Sequence, residues 1–184
     1  MIRPVDLGVC DGYEYEGDPD RTAILLPGAM LGGMPVNAFV ARPLWLAGWR
    51  VVLAWADARH VEDRERWPLE LAEAALAYAG RARLVGGKSA GSLAAPFAAE
   101  HGLAGIWTTP LLEHARCAEG LRARTAPALL VGGTDDESWN GELARALADE
   151  VLELDGADHA LMRTGDLDRL ERAVSDFSAR LLRP

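Results

Sequence analysis

The sequence predicts an α/β fold, with a mostly parallel central sheet of about six or seven strands and helices on both faces. Two observations carry this. Short, nearly continuous apolar runs bounded by turn residues recur along the chain, as strands covered on both faces require. Between them lie longer stretches with apolar residues three and four apart, as crossover helices require. The size agrees: 184 residues, 49% of them hydrophobic and without repeats, make a sizeable core in one domain spanning 1–184.

In chain order, the parallel strands are expected at Thr22–Leu26, Arg50–Ala54, Arg83–Gly86, Gly105–Thr108, Ala128–Val131 and Val151–Leu154, with room for an extra strand before Asp18. Met34–Ala47 is helix-like but holds Pro43, expected to bend or interrupt it. Pro68–Ala79 begins with proline at a tolerated first-turn position and carries Glu70 and Glu73 near the positive end. Its Leu69, Ala72, Leu76 and Ala79 repeat down one side. Asn140 is placed to cap a short helix carrying Leu143 and Leu147. The last helix shows Leu167, Leu170, Val174, Phe177 and Leu181 as its apolar stripe, with Asp166 as the expected N-cap. One small helix is expected within Thr109–Pro127, a stretch too short for a large cap.

Composition limits the function. A net charge of −9, from 19 Lys and Arg against 28 Asp and Glu, opposes capture of a phosphate backbone, so no nucleic-acid partner is expected. No apolar run resembles a signal sequence or reaches membrane-spanning length, so the expectation is a cytoplasmic protein with no membrane partner. Cys10 and Cys117 lack CxxC spacing and read as buried free thiols. His60, His101 and His114 lack ligand spacing and read as surface or helix-end residues, so no metal site is expected.

The run Arg83–Ser92, RLVGGKSAGS, has two outlines. A phosphate-binding loop ending in Gly87-Lys88-Ser89 needs a glycine five positions before Gly87, but that position is Ala82 and lies beside the expected strand. A nucleophilic serine needs a strand, a sharp turn with small residues two before and two after it, and then a helix. Leu84 and Val85, Gly87 and Gly91, and the stretch from Ala90 supply these around Ser89, with Pro96 a source of a kink. The Ala90 N–H then faces the oxygen that becomes negative during acyl transfer. Downstream, the Ala128–Val131 strand runs into GGTDDE and the Val151–Leu154 strand into DGADHA. Carboxyl ends of parallel strands share one edge, so an acid and His159 distant in sequence can meet the serine there.

With Ser, Asp and His in that order, GKSAG, GGTDD and GADHAL give a chain that resembles the α/β-hydrolase superfamily from about Thr22 onward. It is similar to small lidless members, and its ending to dienelactone-hydrolase-like proteins, although those often use cysteine where this chain has Ser89. The resemblance implies a minimal α/β-hydrolase fold and a serine hydrolase cleaving a carboxylic ester, thioester or related acyl bond of a small molecule, without a cofactor. Ser89 is then the nucleophile and His159 the base. The family pattern G-T-x-D maps onto Gly133, Thr134 and Asp136, with Asp135 as the alternative acid; Asp158 shapes the loop. The second oxyanion donor is expected after the first parallel strand, at the N–H of Ala29 or next Met30, where Pro27-Gly28 replaces the family's His-Gly. Gly32 and Gly33 are expected to make that loop flexible without forming a dinucleotide motif.

On the substrate side the sequence offers Met30, Lys88, Trp107 and Trp139. Lys88 reads first as solvent-facing and second as an attractor of anionic substrate. Trp55, Trp107 and Trp139, near strand ends, are candidates to wall an apolar acyl pocket. Two other classes stay open: a catalytically silent protein that keeps the fold for binding or scaffolding, and a nucleotide binder using GGKS. The acyl and leaving groups and the oligomeric state are left undetermined.

Overall fold

The computed structural model describes residues 1–30 and 34–183. Its strands are β1 (Ile2–Asp6), β2 (Asp11–Tyr15), β3 (Asp18–Leu26), β4 (Trp49–Trp55), β5 (Leu84–Lys88), β6 (Ala104–Thr108), β7 (Ala128–Gly133) and β8 (Glu150–Leu154). The helices are α1 (Met34–Leu46), α2 (Trp67–Ala79), α3 (Ala95–Glu100), α4 (Ala115–Ala123), α5 (Gly141–Leu147) and α6 (Thr164–Leu181). All eight strands form one sheet in the order β1-β2-β4-β3-β5-β6-β7-β8. The six from β3 to β8 are parallel, while β1 and β2 extend the β4 edge antiparallel.

The sheet therefore has eight strands rather than six or seven. Where one extra strand had room before Asp18 there are two, β1 and β2; their number and bounds were hidden because IRPVD and DGYEY carry charged or small residues where a central strand would be apolar. An edge tolerates this. Glu14 of β2 is held by Arg3, Arg50 and the Tyr78 hydroxyl, which bind the antiparallel extension to β4 and α2.

Alternate residues of the parallel strands enter two cores. Ile24, Leu26, Val52, Val85, Trp107 and Leu130 pack toward α2 to α5. Ala23, Leu25, Val51, Leu53, Ile106 and Leu129 face α1 and α6. The strands β3 to β7 thus bury both faces where they pair, which is why they read as apolar runs, whereas the edge strand β8, EVLEL, is half-buried along most of its length.

Two helix expectations need correction. Pro43 lies inside α1 without interrupting it. Asp166 is not the N-cap of α6; the helix begins one turn earlier, Arg163 is the N-cap, and the Asp166 carboxylate in the first turn accepts from Arg163 Nε at 2.6 Å. Asn140 does cap α5, its side chain accepting from the Leu143 N–H. Cys117 is a buried free thiol, whereas Cys10 is only half-buried. No helix among the described residues is long and apolar enough to cross a membrane.

Strand order positions the site. Connections run from β3 outward to β4 and in the opposite direction to β5, so the loops after β3 and β5 diverge above adjacent strands. Such a switch point leaves a crevice at the carboxyl edge.

Candidate active site

Ser89 follows β5 directly, and its backbone has φ +50°, the left-handed region that a residue with a side chain occupies at a cost. Close packing enforces the turn. A Cβ on Gly87 would meet the Gly91 backbone at 2.7 Å, and one on Gly91 would meet Pro27 O at 2.7 Å. Only glycine fits at these two approaches. Beyond the turn the chain makes a 3-10 segment, Ser89–Ala94, before α3. Pro96 falls in the first turn of α3, so it starts that helix instead of kinking it.

Ala90 lies in the first turn of the 3-10 segment, where backbone N–H groups lack an intrahelical acceptor. Ala29 and Met30 border the same cavity from the loop after β3, and the Ala29 carbonyl is anchored by the Ala58 N–H at 2.8 Å. Gly32 and Gly33 lie outside the described residues. Two groups not anticipated from sequence brace this region. Buried Asn37 of α1 donates from Nδ2 to Leu26 O at 2.8 Å. Buried Ser92 donates to Ser89 O at 2.7 Å and accepts from the Leu111 N–H at 3.0 Å. No motif marks either residue, since their value lies in backbone groups brought to them by the fold.

The loops after β7 and β8 meet. Asp136 Oδ2 lies 2.8 Å from His159 Nδ1, and the Asp136 side chain is 3% exposed. Asp135 is exposed and does not make this contact, so the geometry separates two neighbouring acids that the sequence left open. Ser138, also unanticipated, donates its hydroxyl to Asp136 Oδ1 at 2.7 Å and its backbone N–H to the same atom at 2.9 Å. Its Oγ is also 3.2 Å from His159 Nδ1. Burial pushes the Asp136 carboxyl upward, but the two Ser138 donors and His159 outweigh it and hold the group below the usual carboxylate range. Asp158 shapes the loop through Oδ1, which accepts from the Ala160 N–H at 2.9 Å.

Ser89 and His159 border one cavity of about 440 Å³, together with Gly28, Ala29, Met30, Lys88, Asp158 and Ala160. The imidazole makes its hydrogen bonds to Asp136 and Ser138, not directly to Ser89. A larger groove, of about 580 Å³, lies between α1 and α6 and is lined by Arg42, Leu46, Glu171 and Ser175 among others. It contains no histidine, and the smaller cavity is the chemically equipped one.

The solvent-facing reading of Lys88 and the three tryptophans expected to wall the pocket need correction, although Lys88 does border the cavity. Lys88 does not face solvent: it is 4% exposed, and its Nζ donates to Thr109 Oγ1 and to His159 O. Trp107 is 1% exposed and packs under the elbow, where a Cβ on Gly87 would meet its ring at 3.1 Å. Trp139 leans over Gly132 and donates from Nε1 to Glu153 Oε2 at 2.8 Å, away from the cavity. Trp55, at the end of β4, stacks edge-on with Tyr13 instead. None of these three tryptophans is among the residues that border the cavity. Met30, by contrast, borders it and is 67% exposed.

No family model and no curated protein sequence matches the chain. Solved structures do match. Est1E from Butyrivibrio proteoclasticus superimposes with a TM-score of 0.76 at 16% identity, covering 97% of this chain and 98% of its own. A serine hydrolase without a lid from Xanthomonas campestris gives 0.71 at 16%, covering 100% and 95%. A dienelactone hydrolase from Anabaena variabilis gives 0.72 at 20%, covering 100% and 98%. The chain has the α/β-hydrolase fold, without a large cap.

Proposed function

We propose that the protein is a serine hydrolase that cleaves a carboxylic ester or thioester of a small molecule through an acyl-enzyme intermediate. The observation that carries this reading is the cavity shared by a serine held at φ +50° and a histidine whose Nδ1 is 2.8 Å from a buried aspartate. Two of the structures named above support it, one described as a serine hydrolase without a lid and the other as a dienelactone hydrolase.

Asp136, accepting from Nδ1–H, leaves Nε2 of His159 as the basic nitrogen. With substrate bound, Nε2 removes the Ser89 proton as Oγ attacks the acyl carbon, and the carbonyl π pair moves onto oxygen. The Ala90 N–H and the Ala29 N–H are the donors for that oxyanion. Collapse expels the alkoxide or thiolate, which takes the proton from His159. Water, deprotonated by the same nitrogen, then attacks the acyl-serine and releases the acid. Apo sites often hold nucleophile and base further apart than the reacting complex does. The open cavity favours water as acceptor, and Met30 at its mouth contacts the acyl chain.

Esters and thioesters of graded acyl length test the proposal. Turnover with a pre-steady-state burst, abolished in Ser89→Ala, is the expected result. A folded wild-type protein that hydrolyses none of them favours the silent binding protein instead.

A further inference from the structure

A buried ammonium beside a nucleophile calls for a physical reason. Lys88 ends β5 immediately before Ser89, and both of its hydrogen-bond acceptors are neutral oxygens: Thr109 Oγ1 at 2.8 Å and the main-chain oxygen of His159 at 2.7 Å. Burial dominates its titration and brings it down to about 8, although Asp136 and Asp158 favour the charged form. Among the described residues that border the cavity, Gly28, Ala29 and Met30 of the loop after β3 carry no charge, and the ionisable groups besides Lys88 are Asp158 and His159. An apolar side chain of similar length avoids this desolvation cost, so packing alone does not account for lysine.

Its contacts link three strand ends. Lys88 belongs to β5, Thr109 directly follows β6, and His159 lies in the loop after β8. Thr109 is a fixed anchor: it is fully buried, has φ +44°, and its N–H donates to Val131 O at 2.6 Å. The other end of the bridge is the peptide plane between His159 and Ala160. Its N–H, from Ala160, is held by Asp158 Oδ1 at 2.9 Å, and its carbonyl is held by Lys88. Fixing both ends of that plane limits rotation about the His159 Cα–C bond, and with it the direction in which the imidazole leaves the chain.

We propose that Lys88 is a positioning residue for His159, clamping the peptide plane after the histidine to the anchored end of β6 so that the imidazole stays between Asp136 and the cavity. The proposal rests on the reading of Ser89 and His159 as nucleophile and base, but the clamp is observable without catalysis. Below pH of about 8 its bonds are charge-assisted. Above it the neutral amine keeps two N–H donors and holds its acceptors less strongly.

The test compares wild type, Lys88→Met and Thr109→Val by NMR of the imidazole C–H signals across the alkaline range, in a protein with only 4 histidines. The wild-type His159 signal should show a step near pH 8 that Lys88→Met removes, with the His60, His101 and His114 signals unchanged. In parallel ester assays, Lys88→Met should lower kcat about 10–100-fold with KM within about threefold, the signature of a misaimed group. Thr109→Val keeps the β-branched shape and the His159 contact, so it should give a smaller loss and a displaced step. It carries the test if Lys88→Met does not fold. A His159 step that survives in Lys88→Met, an unaltered titration in Thr109→Val, or wild-type kcat in Lys88→Met overturns the clamp. A step that vanishes as expected in a protein hydrolysing no ester upholds the clamp and overturns the hydrolase reading.

Discussion

Asp136 and His159 are 23 residues apart in the chain, yet Oδ2 and Nδ1 lie 2.8 Å from each other. Parallel strands β7 and β8 pair along their length and deliver both loops to one edge. The carboxylate is buried while the imidazole is 44% exposed, so the acid is fixed by the protein and the ring is open toward the cavity.

The first prediction follows from that pair. Asp136→Asn presents the wrong hydrogen-bonding partner to Nδ1 and should lower kcat by roughly 10²–10⁴. The same change at exposed Asp135 should stay within about threefold. Steady-state kinetics on one ester distinguishes the two.

Ser138→Ala removes one of the donors that keep Asp136 ionised. The sign is fixed by the lowered carboxyl: its contribution to stability is complete above the ordinary aspartate range and is lost as pH falls through the folded-state value. Without the Ser138 hydroxyl, that loss should occur at higher pH. Thermal denaturation followed down the acid range reads the displacement, and an unchanged acid profile contradicts it.

The elbow predicts opposite effects at neighbouring positions. Ser89→Gly relieves a backbone at φ +50°, so about 1–3 kcal/mol of strain is released and Tm should rise as activity disappears. Gly91→Ala forces a Cβ to 2.7 Å from Pro27 O and should lower Tm by several degrees, about 2–4 °C for each kcal/mol. Calorimetry of the two variants decides both signs.

At the far edge of the sheet, burial pushes Glu14 upward, but Tyr78, Arg50 and Arg3 prevail and bring it down to about 2. Its stabilising effect should be full above pH of about 4.5 and fade as pH falls toward about 2. Glu14→Gln should therefore lower Tm at neutral pH by about 4–8 °C, equivalent to about 2 kcal/mol. The gap from wild type should close in acid. A gap independent of pH contradicts the ion cluster as its cause.

Five of the parallel strands, β3 to β7, were legible because both faces are buried where they pair, which leaves apolar runs; the edge strand β8, only half-buried, was legible from Val151, Leu152 and Leu154. Before Asp18 the sequence left room for one strand and the fold has two, β1 and β2, because their polar residues are satisfied by cross-strand partners such as Glu14 and Arg3, which no local pattern reveals. Within the site, Gly87, Ser89 and Gly91 announced the elbow through steric demands confined to five residues. The choice of Asp136 over Asp135 depends on which side chain turns inward after β7, and spacing alone does not determine that. Trp107 and Trp139 do not border the cavity, because nearness to a strand end gives a position along the chain and not the direction of the side chain. Lys88 does border it, but its ammonium is held inside by Thr109 Oγ1 and the His159 carbonyl, acceptors from other strand ends that no local pattern reveals.

The most direct measurement of the central claim is the mass of the intact protein after exposure to a fluorophosphonate. The account predicts one adduct, mapped to Ser89 after proteolysis, absent from Ser89→Ala and formed much more slowly by His159→Ala. A folded wild-type protein that gains no mass, or one modified elsewhere while Ser89 stays free, contradicts it.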